Sequence, residues 1–589
     1  MCGIAGYIGN RNAPEILFDM LKRLEYRGYD SAGLAYITGD RIFIPKDKGK
    51  VDEVRAKINL KKISSKIGVA HTRWATHGKP SQLNAHPHLG CDERFAVAHN
   101  GIIENYLELK RELEERGHRF KSETDTEVIV HLIEEHYKGD FFRAFEGAIR
   151  ELKGSYAITA ISSLEKDKIL VARKESPLLV GIGKKENFVA SDAPAFLPYT
   201  KNVIIFEDFE YGVVQKDKVV VKNLETGKTV KKKTEKIRWS MEEAEKSGYH
   251  HFMLKEIFEE PNAARNALSG MRDIKKIAKK LSKKKRIYFV ACGTAYHVGL
   301  VGKYLLEKFG IHAEAVVASE FRYSTANALD RDCAVIAVSQ SGETADTIAA
   351  VKAAKKKGAY VGSVVNVVGS TITRISDDTA YIYAGPEIAV ASTKAYTGQV
   401  MSITLLALML ARERRKINDT VFKKLLTEIK TLPEKISRIL KENNIRGLSE
   451  KYANTHTFFF LGRRLNFPTA LEGALKLKEI SYVHAEGYPA GELKHGPLAL
   501  LEPGVCVLVV VPNDELREKV ESNIQEVKAR GAHVITVGET GDFRIPKTDT
   551  LLTPVLDIVP LHLFAYYISV LRGIDPDKPR NLAKSVTVE

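Results

Sequence analysis

Cysteine is scarce in this sequence, and the few cysteines do not form a group. Five occur among 589 residues, at positions 2, 91, 292, 333 and 506, with no CxxC pair and no metal-ligand spacing. This distribution argues against a disulfide framework and favours a reducing, cytoplasmic setting. We therefore expect no metal site.

Long hydrophobic runs are also missing. No apolar run reaches the roughly 18 residues of a membrane span, and the longest, Val400–Ala411, is typical of a buried helix. No basic segment followed by an apolar stretch opens the chain, so no signal peptide is predicted. A cytoplasmic protein without a membrane partner is expected.

Nucleotide-binding fingerprints are absent. The loop after the first strand of the second half reads Cys292-Gly293-Thr294-Ala295 rather than G-x-G-x-x-G. The turn Ser339–Thr344 lacks the lysine that a Walker loop requires. Neither nicotinamide nor ATP is expected, and no cofactor is predicted.

The net charge of +16 leaves two interpretations open. Lysine-rich stretches at residues 228–238 and 275–286 could attract nucleic acid, but no aromatic or arginine-rich recognition module accompanies them. A solvated lysine- and glutamate-rich surface, as in proteins from hot environments, is the simpler account. A positive field would also attract small anionic substrates. No nucleic-acid partner is expected.

Hydrophobic patterns divide the chain into two halves. Residues 1–238 show short β-type runs such as Gly3–Ile8 and Leu179–Ile182, with helices such as Ala13–Leu24 and Glu127–His136 between them. Strands in runs, rather than in strict alternation with helices, predict a layered α+β domain. Residues 239–248 are rich in charged side chains, which indicates a linker.

The second half contains an internal repeat. The run Val335–Val338 and the helix that follows it are echoed by Val507–Val511 and its helix. Apolar strands separated by amphipathic helices indicate parallel α/β sheets covered on both faces. Two such domains are expected, at residues 249–440 and 441–571, followed by a tail at 572–589.

Cys2 would become the first residue once Met1 is removed. It would then carry a thiol nucleophile beside a free α-amine, whose usual pKa of about 8 suits a general base. By itself this signal is weak, because a cysteine at position 2 is more often a chance residue.

Polar clusters elsewhere in the first half strengthen the case. Arg73 could bind a carboxylate, Asp125 an ammonium group, and the Asn100 amide with the Gly101 N–H could stabilise an oxyanion. Each has a structural alternative: Asn100-Gly101 could be a hairpin turn, and Asp125 a helix N-cap. Taken together with Cys2, they describe a glutaminase.

Residues 2–238 resemble the N-terminal-nucleophile glutamine amidotransferases, through Cys2-Gly3-Ile4 and the segments EYRGYDSAG, HTRWATHG, HNGIIEN and SETDTE. The resemblance implies an αββα layered fold, with Cys2 as nucleophile and Asn100 and Gly101 as the oxyanion hole. It also implies that Arg73, Thr76, His77 and Asp125 bind glutamine. Trp74 would form part of the gate to an ammonia passage, and Arg27 and Tyr29 match positions that organise or close the site.

In the second half, Ser339-Gln340-Ser341-Gly342-Glu343-Thr344 precedes a predicted helix, Ala345–Lys356. Exposed N–H groups at a helix start, together with three hydroxyls, suit a phosphate. A plain capped helix is the alternative. The second repeat has Pro512-Asn513-Asp514-Glu515 instead, whose acids would repel phosphate, so one phosphate site per chain is expected.

Candidate chemistry lies in the second repeat. Glu472, Lys476 and Glu479 fall on one helix face, where an exposed ion-pair ladder is the alternative. His495 is titratable and lies in a loop. Lys584, on the tail, could form a Schiff base with a ketose.

Residues 249–589 resemble the tandem sugar-isomerase domains of the isomerising glutamine–fructose-6-phosphate aminotransferases, through EIAVASTKA, ALEGALKLKEISY, AGELKHGPLAL and PRNLAKSVTVE. The resemblance implies ring opening by His495, a Schiff base at Lys584, proton transfer by Glu479 with help from Lys476, and at least a dimer. Ala295 replaces a serine common in the family, which removes one hydroxyl contact. The implied sugar-phosphate contacts are Thr294, Ser339, Gln340, Ser341, Thr344, Val390, Ser392 and Ala583.

Two rival functions use the same domains. A hydrolytic sugar-amine deglycase would not need an intact Cys2 half. A non-enzymatic sugar-phosphate sensor would be favoured by loss of Lys584 or Glu479, and both are present.

We expect Lys584→Ala to stop amino-sugar formation while leaving some glutaminase turnover, because the Schiff base is lost and Cys2 is untouched. Glutamate and amino sugar are measured in one reaction. Amino sugar formed by this variant would rule out the Schiff-base role.

Overall fold

The computed structural model describes residues 2–58, 63–74, 78–237, 246–442 and 444–587. The chain divides into two compact units, Met1–Met241 with Ala583–Glu589, and Glu242–Leu582. Residues 239–245 of the predicted linker lie outside the described residues. The finer boundaries within the second unit stay predictions.

The front unit is rich in strands. Its strands are β1 (Gly3–Ile8), β2 (Ser31–Thr38), β3 (Arg41–Phe43), β4 (Lys46–Lys48), β5 (Ile67–Arg73), β6 (His88–Leu89), β7 (Phe95–Ile103), β8 (Gly154–Ser162), β9 (Ile169–Lys174), β10 (Leu179–Ile182), β11 (Asn187–Ala190), β12 (Asn202–Ile205), β13 (Glu210–Val214), β14 (Val219–Asn223), β15 (Thr229–Val230) and β16 (Glu235–Lys236). Its helices are α1 (Ala13–Leu24), α2 (Val51–Ala56), α3 (Tyr106–Glu115), α4 (Glu127–His136) and α5 (Phe141–Glu151).

These strands form two antiparallel sheets that pack face to face. The order of the first is β16-β12-β10-β11-β1-β5-β2-β3, with β4 beside β2, and that of the second is β15-β14-β13-β9-β8-β7-β6. Ile4 and Val69 of the first sheet share a core with Ile161 and Val171 of the second.

Helices cover the outer faces of both sheets. Leu17 and Leu21 of α1 pack against the first sheet, whereas Ile129 of α4 and Phe145 of α5 pack against the second. The layering is therefore αββα, as the family resemblance implied. The predicted ranges of β1, β10, α1 and α4 agree with the structure to the residue.

The back unit alternates strands with helices. Its strands are β17 (Arg286–Ala291), β18 (Glu314–Val317), β19 (Cys333–Ser339), β20 (Tyr360–Val365), β21 (Asp378–Tyr381), β22 (Thr457–Gly462), β23 (His484–Pro489), β24 (Cys506–Val510), β25 (His533–Gly538) and β26 (Phe543–Arg544). Its helices are α6 (Phe252–Phe258), α7 (Glu260–Ala267), α8 (Met271–Leu281), α9 (Gly293–Lys308), α10 (Ala318–Phe321), α11 (Ala345–Lys356), α12 (Thr371–Ile375), α13 (Lys394–Glu413), α14 (Asp419–Ile429), α15 (Leu432–Glu442), α16 (Ile445–Tyr452), α17 (Phe467–Ser481), α18 (Arg517–Lys528) and α19 (Thr553–Leu571).

The repeat seen in the sequence produces two five-stranded sheets of parallel strands. Their orders are β18-β17-β19-β20-β21 and β23-β22-β24-β25-β26. Both sheets are parallel throughout the described pairings. This confirms the predicted architecture of two parallel α/β sheets in the second half of the chain.

Two helices in the described chain are long and apolar enough, by length and composition alone, to span a membrane. They are Lys394–Glu413 and Thr550–Leu571, and their most apolar windows are 100% and 83% buried inside the protein. Both are core helices of the back unit. The first contains the buried run predicted at Val400–Ala411.

The carboxylate of Asp577 holds several segments of the back unit together. Its oxygens accept hydrogen bonds from the N–H groups of Phe252 and Met253, both 2.8 Å long, at the start of α6. Its backbone carbonyl accepts from the Val390 N–H at 3.2 Å. Asp577 is 5% exposed, so these donors have little access to water.

We expect Asp577→Ala to lower the thermal midpoint of the back unit by a few degrees, because two N–H groups at the start of α6 lose their acceptor. The corresponding loss in the free energy of unfolding is about 2 kcal/mol. Differential scanning calorimetry measures it, with Glu502→Ala, an exposed acid in the same unit, as control. Equal midpoints for the two variants would contradict this anchoring role.

Candidate functional site

Cys2 lies immediately before β1, near the middle of the first sheet of the front unit. The backbone N–H of Trp74 donates to its sulfur at 3.3 Å. Its carbonyl oxygen accepts from the Asn100 side-chain amide at 3.0 Å and from Arg27 Nε at 3.1 Å. These contacts fix the backbone from which the thiol projects.

The Cys2 thiol is protonated at rest. Burial raises its pKa, and the positive chain terminus, the Trp74 N–H and the nearby arginines offset this only in part. A thiol in this state needs a base before it can attack a carbonyl. The α-amine that removal of Met1 would free on the same residue is suitably placed by covalent geometry.

Asn100 and Gly101 lie inside β7, so the hairpin-turn alternative is wrong. The side-chain oxygen of Asn100 accepts from His71 Nε2 at 3.0 Å, which turns its NH₂ group toward Cys2. Burial lowers the pKa of His71 to about 3, so this histidine is neutral. Sequence reasoning did not find His71 as the orienting partner.

Gly101 adopts a conformation that side chains disfavour. Its φ is +126°, and a Cβ there would lie 2.1 Å from the Ser155 carbonyl oxygen. Only glycine lets β7 pass this close to β8 at this position.

Arg73, Trp74, Asn100, Gly101 and Asp125 line one pocket with Cys2. Asp125 accepts from the Ile103 N–H at 2.8 Å rather than capping α4, so the N-cap alternative is wrong. The pocket therefore has a guanidinium and a carboxylate near a thiol and an amide donor. The predicted glutamine-binding residues Thr76 and His77 lie outside the described residues.

Val586 and Thr587, near the chain end, also line this pocket. They belong to the segment Ala583–Glu589, which groups with the front unit. Sequence reasoning missed them, because it assigned the whole tail to the sugar site. The roles of Ala583 and Lys584 at that site stay predictions.

In the back unit, three hydroxyl side chains lie at the end of β19, in the turn after it and at the start of α11, at Ser339, Ser341 and Thr344. Ser339 Oγ accepts from the Gly342 N–H at 2.9 Å, and Ser341 Oγ accepts from the Glu343 N–H at 3.1 Å. Thr344 is the N-cap of α11 without a side-chain cap bond, so the capped-helix alternative does not explain its hydroxyl. The Gln340 and Ser341 side chains are partly exposed and open to a ligand.

Glu472, Lys476 and Glu479 of α17 do not form an exposed ladder. The Lys476 ammonium lies 2.6 Å from Glu479 and 3.4 Å from Glu472, and the side chains of Lys476 and Glu472 are 1% and 0% exposed. Burial would lower the pKa of Lys476, but both carboxylates raise it overall. Lys476 is therefore a permanently charged group beside a partly accessible carboxylate, Glu479.

The two repeats meet at this cluster. From α9 of the first repeat, Thr294 Oγ1 donates to Glu472 at 3.0 Å and accepts from Lys476 at 3.0 Å, and His297 contacts Glu472 at 2.7 Å. Thr294 was predicted as a sugar contact, whereas His297, one turn further along the helix, was missed. Thr294 and His297 join the lysine–glutamate cluster to the first repeat.

Other predicted sugar-site residues lie on loops of the back unit. Val390 is buried, and Ser392 donates to Glu387 at 2.8 Å. His495 is exposed in a 3₁₀ turn, Glu492–His495. In the second repeat, Glu515 pairs with Arg464 at 2.7 Å and Lys308 at 3.4 Å, which partly neutralises the acids predicted to repel phosphate.

Comparison with protein families supports both halves of this description. A glutamine amidotransferase domain matches residues 71–198, and a SIS domain matches twice, at residues 280–409 and 451–566. The chain is 51% identical to the isomerising glutamine–fructose-6-phosphate aminotransferase of Pyrococcus horikoshii and 50% identical to that of Thermococcus kodakarensis, over 100% of each chain.

A solved structure matches the back unit. It is the C-terminal domain of the glucosamine-fructose-6-phosphate aminotransferase of Francisella tularensis, with a TM-score of 0.54 and 39% identity. The match covers 57% of this chain and 100% of that one.

We expect Gly101→Ala to lower the rate of glutamine hydrolysis by roughly 10²–10³-fold, because the added Cβ displaces β7 and with it an oxyanion donor. Steady-state glutamate release measures the effect. Gly139→Ala is the matched control, since Gly139 also has a positive φ, +88°, with nothing within 4 Å of an added Cβ. Equal losses in both variants would show that backbone strain alone is responsible.

Proposed function

The chain belongs to the family of isomerising glutamine–fructose-6-phosphate aminotransferases, and from this premise we propose how its residues divide the reaction. It converts fructose 6-phosphate and glutamine to glucosamine 6-phosphate and glutamate. The observation that carries the proposal is that one chain holds both a half-buried thiol with amide groups in its pocket and, in the back unit, a charged lysine–carboxylate cluster and a hydroxyl-rich turn.

The glutamine half begins at Cys2. Arg73 binds the α-carboxylate of glutamine and Asp125 its ammonium group, with Thr76, His77 and Trp74 completing the site. The Cys2 sulfur attacks the side-chain carbonyl, and the oxyanion accepts hydrogen bonds from Asn100 Nδ2 and the Gly101 N–H.

Proton movement in this half uses the α-amine of Cys2. The amine takes the thiol proton and delivers it to the leaving nitrogen, so that ammonia departs and a thioester remains. Water then hydrolyses the thioester to glutamate and restores the thiol. Neutral His71 keeps the Asn100 amide oriented throughout.

The sugar half uses the turn Ser339–Thr344 to bind phosphate through hydroxyls and N–H groups, with Thr294, Val390, Ser392 and Ala583 against the sugar. His495 opens the ring and Lys584 forms a Schiff base with the ketone. Ammonia passes internally and replaces the lysine nitrogen at C2.

Glu479 then moves a proton between C1 and C2, which converts the ketose derivative to an aldose. The fixed positive charge of Lys476 stabilises the negative charge that develops near this carboxylate. Release of one water for each ammonia incorporated balances the reaction. We also propose that the protein is cytoplasmic and forms a homodimer in which His495 serves the partner's site.

Purified protein given glutamine and fructose 6-phosphate, without added cofactor, should form glutamate and glucosamine 6-phosphate in equal amounts, measured together by mass spectrometry. Equal amounts indicate coupled ammonia transfer. Glutamate without amino sugar would contradict the sugar half of the proposal.

We expect Cys2→Ala to lower the rate of glutamine hydrolysis by on the order of 10⁴-fold or more, because no other nucleophile replaces the thiol. Cys333→Ala, a buried cysteine on β19, is the control and should retain activity. Unchanged glutamate release from Cys2→Ala would overturn the assignment of the nucleophile.

A further inference from the structure

Four side chains of the front unit converge at a place separate from the Cys2 pocket. Cys91 follows β6, His118 follows α3, and His131 and Glu134 lie on α4. One ligand atom of each, sulfur, nitrogen or oxygen, lies within 4.8 Å of all the others. The reaction proposed above uses none of these residues.

The spacing of these atoms matches a tetrahedron around one ion. The Cys91 sulfur lies 3.8 Å from His118 Nδ1 and 3.7 Å from His131 Nδ1. The two Nδ1 atoms are 3.2 Å apart. Glu134 Oε2 lies 3.4 Å from the first and 3.0 Å from the second.

A zinc ion has bond lengths of about 2.3 Å to sulfur and about 2.0 Å to nitrogen, which in a tetrahedron separates sulfur from nitrogen by about 3.5 Å and nitrogen from nitrogen by about 3.3 Å. The three observed sulfur–nitrogen and nitrogen–nitrogen separations agree with these values within a few tenths of an ångström. The side chains thus already have the arrangement that the ion requires.

A hydrogen bond on the outer side of the His118 ring leaves a lone pair on the ring nitrogen that faces the other three side chains. His118 Nε2 lies 3.0 Å from a Glu135 oxygen, so this nitrogen carries the proton and Nδ1 keeps its lone pair. His131 Nε2 lies 3.7 Å from a Glu127 oxygen, which is beyond hydrogen-bond distance. In zinc sites, a carboxylate commonly accepts a hydrogen bond from the outer nitrogen of a ligating histidine and fixes the orientation of its ring.

Backbone N–H groups donate to both the sulfur and the carboxylate. The N–H of Arg119 donates to the Cys91 sulfur at 3.3 Å, and the N–H groups of Cys91 and Asp92 donate to the two Glu134 oxygens at 2.9 Å. Without a metal ion, the five close contacts among these atoms would share at most two protons, one on the Cys91 sulfur and one on His131 Nδ1. One divalent cation satisfies all four atoms together.

We propose that Cys91, His118, His131 and Glu134 bind one structural Zn²⁺ ion. The mixture of one thiolate, two imidazoles and one carboxylate suits zinc better than magnesium or calcium, which prefer oxygen ligands. Four protein ligands close the coordination shell, as in structural rather than catalytic sites.

The ion would stabilise the position of α4, the helix that follows two residues of the Cys2 pocket. It ties the turn after β6 and the segment after α3 to α4, and α4 starts directly after Asp125 and Thr126, which line the Cys2 pocket. Metal binding to the folded state alone also stabilises it. Zinc therefore raises the stability of the front unit and keeps Asp125 in place.

Elemental analysis of the full-length protein, expressed with zinc in the medium and gel-filtered, should give one zinc per chain. Cys91→Ser and His131→Gln should reduce the zinc content to near zero. His136→Gln, at the end of the same helix and paired with Glu151, is the matched control and should retain one zinc. Wild-type protein with no zinc, or with iron in its place, would overturn the proposal.

A second measurement does not depend on how well the variants fold. Wild-type protein stripped with a chelator and reloaded with Co²⁺ should show the intense visible absorption of a tetrahedral site and a thiolate charge-transfer band. Stripping should lower the thermal midpoint of the front unit, and Zn²⁺ should restore it. A weak six-coordinate cobalt spectrum, or a midpoint that stripping does not change, would contradict a structural zinc site.

Discussion

Two side chains anchor the start of the front unit through the carbonyl oxygen of Cys2. Asn100 and Arg27 donate to it from β7 and from the turn after α1, and β1 continues directly from it into the interior. A nucleophile on the first residues of a chain would otherwise belong to a frayed end. The two stacked sheets therefore hold the start of the chain at a defined place beside the amide donors.

The back unit depends on a buried ionic cluster at the junction of its two repeats. Leaving a charged lysine in a core is costly unless carboxylates surround it, and Lys476 has Glu472 and Glu479 as partners with Thr294 between them. Because Thr294 and His297 come from the first repeat, the cluster is complete only when both repeats are folded and packed together. Each copy of the repeat thus supplies part of one buried cluster.

The sequence predicted elements best where local pattern and tertiary packing agree, as in Ala13–Leu24 and Glu127–His136. It failed where tertiary contacts decide. The hairpin, N-cap and exposed-ladder alternatives for Asn100-Gly101, Asp125 and Lys476 were all reasonable locally, and burial together with long-range hydrogen bonds overruled each one.

The sequence alone determined the family, the two-part architecture and the identity of most candidate site residues, because segments such as HNGIIEN and SETDTE carry them in contiguous runs. Tertiary structure alone decided which atoms meet. His71 orients Asn100 from another strand, His297 reaches Glu472 across a repeat, and Cys91 meets His118 and His131 from 27 and 40 residues away. Such ligands have no short spacing to recognise, since it is the fold of α3 and α4 against the sheet that brings them within bonding distance of one ion.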